Sequence, residues 1–151
     1  MITILKSIQK RISEIKEIAY VDEDWGQLDY YDTRPPVQWP CALFTLNDGS
    51  FSNIGKDKNK TPSNRQQGII TLDITVANLK LTNTSFKSPL HQKDQSWDIW
   101  NLIEKIHGKL HGWKPDNKVC GYLIRTSCKS IRRNDGIQEI HIIYTLGLNN
   151  V

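Results

Sequence analysis

Residues 68–79 read GIITLDITVANL, and their alternation decides the fold. Ile70, Leu72, Ile74 and Val76 fall on one side of an extended chain, and Ile69, Thr71, Asp73, Thr75 and Ala77 on the other. A period of two, rich in β-branched residues, marks a strand with one buried face. At ~3.3 Å per residue the stretch reaches roughly 40 Å, about twice a common strand. Its apolar side calls for a core. Its mixed side can meet water or a neighbouring subunit.

Partners for this strand lie on both sides of it. Downstream, residues 121–131 and 137–148 form two strands joined through Arg132-Arg133-Asn134-Asp135-Gly136, with Asp-Gly as the turn signal. Upstream, 39–46 (WPCALFTL) reads as a short apolar strand, with Pro40 near its start where a missing donor matters least. Asn47-Asp48-Gly49 predicts a hairpin turn and 50–54 the returning strand. Residues 55–67 (GKDKNKTPSNRQQ) are then a polar tip with almost nothing to bury.

Two helices supply the cover. Leu5, Ile8, Ile12, Ile15 and Ala19 follow a helical spacing over 2–19. A second helix is predicted from Ser96, as N-cap, to Gly112, with Ile99, Trp100, Ile103, Ile106 and Leu110 facing inward and Pro115 blocking continuation. Trp97 and Trp100 read as core and core-edge residues. The order is α-β-β-β-α-β-β. This is a single α+β domain over 1–151: a mainly antiparallel sheet of about five strands with both helices on one face. No repeat period suggests a solenoid.

Between the first helix and the first strand, 20–38 (YVDEDWGQLDYYDTRPPVQ) crowds Asp22, Glu23, Asp24, Asp29 and Asp32 around Trp25, Tyr30 and Tyr31. The spacing does not match a calcium loop. A solvated acidic loop, or an interface with basic residues of a partner, is the expectation.

Composition narrows the class. The 151 residues suit one domain. Twenty basic and 16 acidic residues give a formal charge of +4, which permits an anionic partner without demanding one. The basic residues are dispersed, with no nucleic-acid arm. Cys41, Cys120 and Cys128 match neither a zinc pattern nor C-x-x-C, and are expected to be buried free thiols in a reducing compartment. The N-terminal stretch is too charged for a signal peptide, and no apolar run has the ~20 residues of a membrane helix. Synthesis in a cytoplasm is the expectation.

Catalytic patterns are sparse. His107 and His111 share a helix face, but Gly108 stands where the Glu of H-E-x-x-H would be. There is no G-x-S-x-G elbow, P-loop or G-x-G-x-x-G. Pro115-Asp116 with Glu139-Ile140-His141 resembles, in part, the P-D…E-x-K pattern of two-metal nucleases, with His in place of Lys. A metal-dependent nuclease using Asp116, Glu139 and His141 is therefore the alternative reading.

Taken as a layout, the sequence resembles the tail-terminator, or tail-completion, proteins of long-tailed phages and prophages. Four features carry the resemblance: a first helix ending in IAYV; a lead, RPPVQWP, into CALFTL; a charged tip, GKDKNKTPSNRQQ, before GIITLDITVANL; and a helix, WDIWNLIEKIHGKL, followed by two strands joined through RRNDG. It implies non-enzymatic structural work in the virion's tail or neck, with no cofactor and no metal. Such proteins close a ring, usually a hexamer, on the tail tube, stop its polymerisation and meet the head connector, while DNA passes through the lumen. Under it, Lys56, Lys58, Lys60, Arg65, Arg132 and Arg133 are the expected contacts to neighbouring subunits, tube or passing DNA.

Overall fold

A computed structural model describes residues 1–29, 34–80 and 84–151. Tyr30, Tyr31 and Asp32 of the acidic loop, and part of the second connection, lie outside the described residues. The elements run α1 (Ile2–Ser13), β1 (Tyr20–Glu23), β2 (Cys41–Lys56), β3 (Asn64–Leu79), α2 (Leu90–Leu110), β4 (Ile124–Ile131) and β5 (Ile137–Leu148). The five strands form one sheet in the order β1-β2-β3-β5-β4. Every pairing is antiparallel except β1 with β2. The α+β architecture and element order match the sequence reading.

The alternation of β3 does what its pattern requires. Ile70, Leu72, Ile74 and Val76 are buried beside Ala42 and Phe44 of β2 and Ile140, Ile142, Tyr144, Leu146 and Leu148 of β5. The same cluster takes Ile4, Ile8 and Ile12 of α1 and Ile99, Leu102, Ile103, Ile106 and Leu110 of α2, so both helices cover one face. On the opposite face a smaller cluster of Leu28, Cys41, Leu43, Ala77 and Ile137, flanked by Val37 and Trp39, covers one end only.

Two readings need correction. Asn47-Asp48-Gly49 is not a turn. β2 runs through it to Lys56, and the register slips between Leu46 and Asp48, leaving Asn47 as a bulge. The true hairpin lies at 57–63, where Asp57 Oδ1 accepts the Asn59 N–H at 2.9 Å and the Asp57 N–H reaches the Ser63 carbonyl at 2.8 Å. That Asx-type closure competes successfully with the Asn-Asp-Gly signal because it lets β2 pair along all of β3. The missing strand is instead β1, a four-residue piece inside the acidic stretch, whose Tyr20, Val21, Asp22 and Glu23 pair with Cys41, Ala42, Leu43 and Phe44.

The helices also shift. The buried stripe of α1 is Ile4, Ile8 and Ile12, while Ala19 is exposed beyond the helix end. α2 begins at Leu90, after an extended Pro89, and Ser96 is buried against the sheet rather than capping. Trp97 and Trp100 are 50% and 39% exposed, so they are surface residues and Leu102 takes the core position. Of the cysteines, Cys41 and Cys120 are buried free thiols and Cys128 is an exposed one.

β5 pairs with β3 as far as Leu148 opposite Gly68, Val151 then exchanges backbone hydrogen bonds with Gln66 at 3.0 Å, and past that point the β2–β3 pair continues as a two-stranded ribbon. The Phe51 ring lies across Gly49 and Gly68: a Cβ built on Gly68 would fall 2.5 Å from Phe51 Cδ1 and 2.8 Å from the Ser50 carbonyl oxygen. Gly68→Ala is therefore expected to destabilise the fold by roughly 1–3 kcal/mol through overpacking against backbone. Chemical denaturation of wild type and variant reads this directly; equal midpoints would show that the ribbon does not hold this ring-over-glycine packing.

Candidate functional site

The open face of the sheet carries a charged network built from the mixed side of β3 and the facing side of β5. Thr75 pairs with His141, Ala77 with Glu139 and Asp73 with Ile143, so strand register alone places the polar residues in adjacent rows. His141 Nε2 lies 2.6 Å from Glu139 Oε1, and its Nδ1 lies 3.0 Å from Asp73 Oδ2. Asn47, the bulge residue, donates from Nδ2 to Asp73 Oδ2 at 3.2 Å.

Arg133 completes the network from the β4–β5 turn. Its Nη1 donates to Glu139 Oε2 at 2.7 Å and to Asp29 Oδ1 at 3.0 Å, its Nη2 to Asp135 Oδ2 at 2.6 Å and to the Leu28 carbonyl at 2.9 Å, and its Nε to both oxygens of Asp135. Every guanidinium nitrogen is thus engaged within the chain. The Arg133 side chain is 14% exposed and Glu139 as a residue 8%. A buried carboxylate is tolerated only when paired, and this one is paired twice.

The charges tune one another. The carboxylates of Asp73 first and Glu139 second push the His141 imidazole up to about 10, against the desolvation that would lower it. The bond from His141, with Arg133 behind it, holds Glu139 below the usual carboxylate range despite burial. Asp135 is held low by Arg133. His141 is therefore a cation at neutral pH, with both ring nitrogens donating. It is unsuited to take a proton from an attacking water.

The sign of the pH dependence follows. A histidine raised from 6.5 to about 10 contributes stability that is full below pH 6.5 and lost as pH rises through 10. The denaturant midpoint should fall between pH 6.5 and 10, and His141→Gln should flatten that fall. An unchanged alkaline slope in His141→Gln would mean that His141 is not charged at neutral pH.

The three residues of the nuclease reading do not converge. Glu139 and His141 sit together near the start of β5, on the face away from the helices. Asp116 exchanges hydrogen bonds with Cys120, which bridges to Leu148 at the other end of β5. From His141 to Leu148 is roughly 24 Å at a strand's rise of ~3.4 Å per residue. Cys120, hydrogen-bonded to Asp116, belongs to the helix-covered core. No carboxylate pair for a shared metal is made from this set, and among the described residues no group of three or more His, Cys, Asp or Glu is placed to hold one. The His107 and His111 rings stack with centroids 4.6 Å apart, and His111 Nδ1 accepts the Arg125 N–H at 3.1 Å.

The basic residues singled out by sequence separate into three groups. Lys56, Lys58 and Lys60 are exposed on the ribbon and its tip. Arg65 is tied to the chain's last residues, donating from Nε to Asn150 Oδ1 at 2.8 Å and from Nη2 to the Asn150 carbonyl, and from Nη1 to the Pro62 carbonyl at 3.1 Å. Arg132 is exposed, whereas its neighbour Arg133 is the hub described above. Sequence spacing could not separate the two arginines. The signal that could have was the alternation of β5, which puts Glu139 and His141 on one face within reach of the turn.

No protein-family model matches this sequence, and no curated protein matches it. The fold does have a solved relative. A chain of the virion of a native gene transfer agent (GTA) particle superposes with a TM-score of 0.52 at 10% identity, covering 95% of this chain and 92% of that one. At that identity the likeness establishes a common fold over nearly the whole of both chains.

Proposed function

We propose that this chain is a non-enzymatic assembly protein of a phage-like particle. In this reading it is a tail-terminator-type subunit that self-associates into a ring at the end of a tail tube, stops tube growth and joins tail to head. The observation that carries the reading is the end-to-end fold match to a chain of a gene-transfer-agent virion; beside it, the charged cluster described above has its cations tied to carboxylates of the same chain.

The architecture suits such work. The sheet covers one face with helices and leaves much of the other face, a long ribbon and the outer edge of β4 available to neighbours, as heterologous closure requires. Lys56, Lys58, Lys60, Arg65 and Arg132 serve as contacts to adjacent subunits, tube or passing DNA; Arg133 supports them only by fixing the turn that carries Arg132. No cofactor or metal takes part. The subunit is made in the host cytoplasm and resides in the tail or neck of the particle, near six copies to a ring.

Light scattering coupled to size exclusion, with negative-stain images of the peak, tests self-association. Discrete closed rings of one copy number are expected. A single-chain species at every protein and salt concentration would count against a subunit that closes by itself.

A further inference from the structure

We propose that neighbouring copies join by strand addition, β4 of one copy entering the vacant lane beside β2 of the next. This rests on the self-assembly reading above and names its interface.

The lane is a consequence of strand lengths. β1 is four residues long and pairs only with Cys41, Ala42, Leu43 and Phe44, whereas β2 runs on to Lys56. Among the described residues, the Asp24 N–H to the Phe44 carbonyl is the last backbone bond made to that edge. From there to Lys56 no strand among the described residues lies beside the outer edge of β2. Unpaired edges template further pairing; register shifts at Asn47 and Ile54 bend the two ends of this lane and leave Asp48 to Asn53 as its regular part.

The other edges are blunted. The outward carbonyls of β1, those of Val21 and Glu23, accept the Gln9 and Gln27 side-chain amides at 3.1 and 2.7 Å. The start of β4 is closed by His111, which takes the Arg125 N–H. Past Arg125, β4 is exposed from Thr126 to Ser130 and carries no such cap among the described residues. Two open edges remain, one on each side of the same sheet, which is the arrangement a head-to-tail contact needs.

Direction and charge agree. β2 runs parallel to β5, and β4 antiparallel to β5, so an incoming β4 in the same sheet orientation lies antiparallel to β2. Its C-terminal end then points back toward the end of β1. That end of β4 bears Lys129 and Arg132, with no acidic residue between Ile124 and Arg132. The end of β1 bears Glu23 and Asp24, and Asp48 begins the lane. In this direction the more basic end of β4, Lys129 and Arg132, meets the acidic end of β1, and Arg125 alone lies toward Lys56; this complementarity favours a second copy of this chain in that polarity. The incoming strand sits displaced along the sheet relative to its own β1–β2 pairing, so each step adds a stagger of the kind that closes sheets into rings.

Two surface residues outside the charged network test this, Glu23 and Arg132, together with a cross-link that reads the lane itself. Arg132→Glu and Glu23→Lys should each reduce the assembled mass to that of one chain. Mixing the two variants should restore assembly, because every contact again pairs opposite charges. Phe51→Cys, four strand positions along the lane from Leu46 where Arg132 would reach Glu23, should give an intermolecular disulfide to the exposed native Cys128, lost in Phe51→Cys with Cys128→Ser. If wild type assembles but both charge variants do so equally and no cross-link forms, this interface is wrong while self-assembly stands. If wild type remains a single chain at every concentration and gives no cross-link, the interface falls together with the self-assembly reading. Circular dichroism of each variant verifies that a loss of mass is not a loss of fold.

Discussion

Arg133→Ala is expected to lower the unfolding free energy by about 4 kcal/mol, whereas Arg132→Ala, one residue away, should change it by less than about 0.5 kcal/mol. The asymmetry comes from what each side chain touches. Removing the Arg133 guanidinium leaves Glu139, Asp135 and Asp29 facing one another, and strips the Leu28 carbonyl of its donor. Glu139 is the buried member, so its lost partner dominates; Asp29 is largely exposed and contributes little. His141 remains as a second cation beside Glu139, which keeps the loss within the usual range for breaking a buried pair. Urea unfolding of the three proteins at pH 6 measures the difference. Equal, small effects for both arginines would show that the network is a surface feature and that Arg133 is as available for intermolecular contact as Arg132.

Ile74→Ala is expected to cost about 4 kcal/mol, and Ile69→Ala on the same strand under about 0.5 kcal/mol. Ile74 is fully buried between Phe44 and Ile142 on the helix-covered face, where both neighbouring strands and the helices fix the walls of the void that truncation leaves. Ile69 points to the other face and is 60% exposed. The comparison reads the two-sidedness of β3 with chemistry held constant. Comparable losses at both positions would mean that the second face is also sealed in the isolated chain.

The fold was legible where a single pattern extended over many residues. The alternation of 68–79, the helical spacing through Ile99, Ile103, Ile106 and Leu110, and the Asp135-Gly136 turn each predict what is found; Gly136 has φ 79°, the conformation such a turn asks for. The failures have physical causes. Asn47-Asp48-Gly49 has the composition of a hairpin turn and of a bulge alike, and only the length of β3 decides between them. β1 hides because its Asp22 and Glu23 oppose strand propensity, and pairing with β2 overrides that preference. Trp97 and Trp100 flank the buried stripe of Ser96, Ile99, Leu102, Ile103, Ile106 and Leu110, and helical spacing alone did not show on which side of the tryptophans that stripe would fall. At the candidate site, Glu139 and His141 were found as a pair by their i, i+2 spacing on one strand face. Their partners Asp73 and Arg133 come from other elements, and only strand register and the β4–β5 turn bring them together.

The assembly role is tested most directly on the particle. Disrupting this reading frame in the genome that carries it, then imaging the particles released, is the measurement to make. Heads without joined tails and tubes of uncontrolled length are expected, both corrected when the intact chain is supplied in trans. Particles of normal length and normal joining, made in its complete absence, would contradict it.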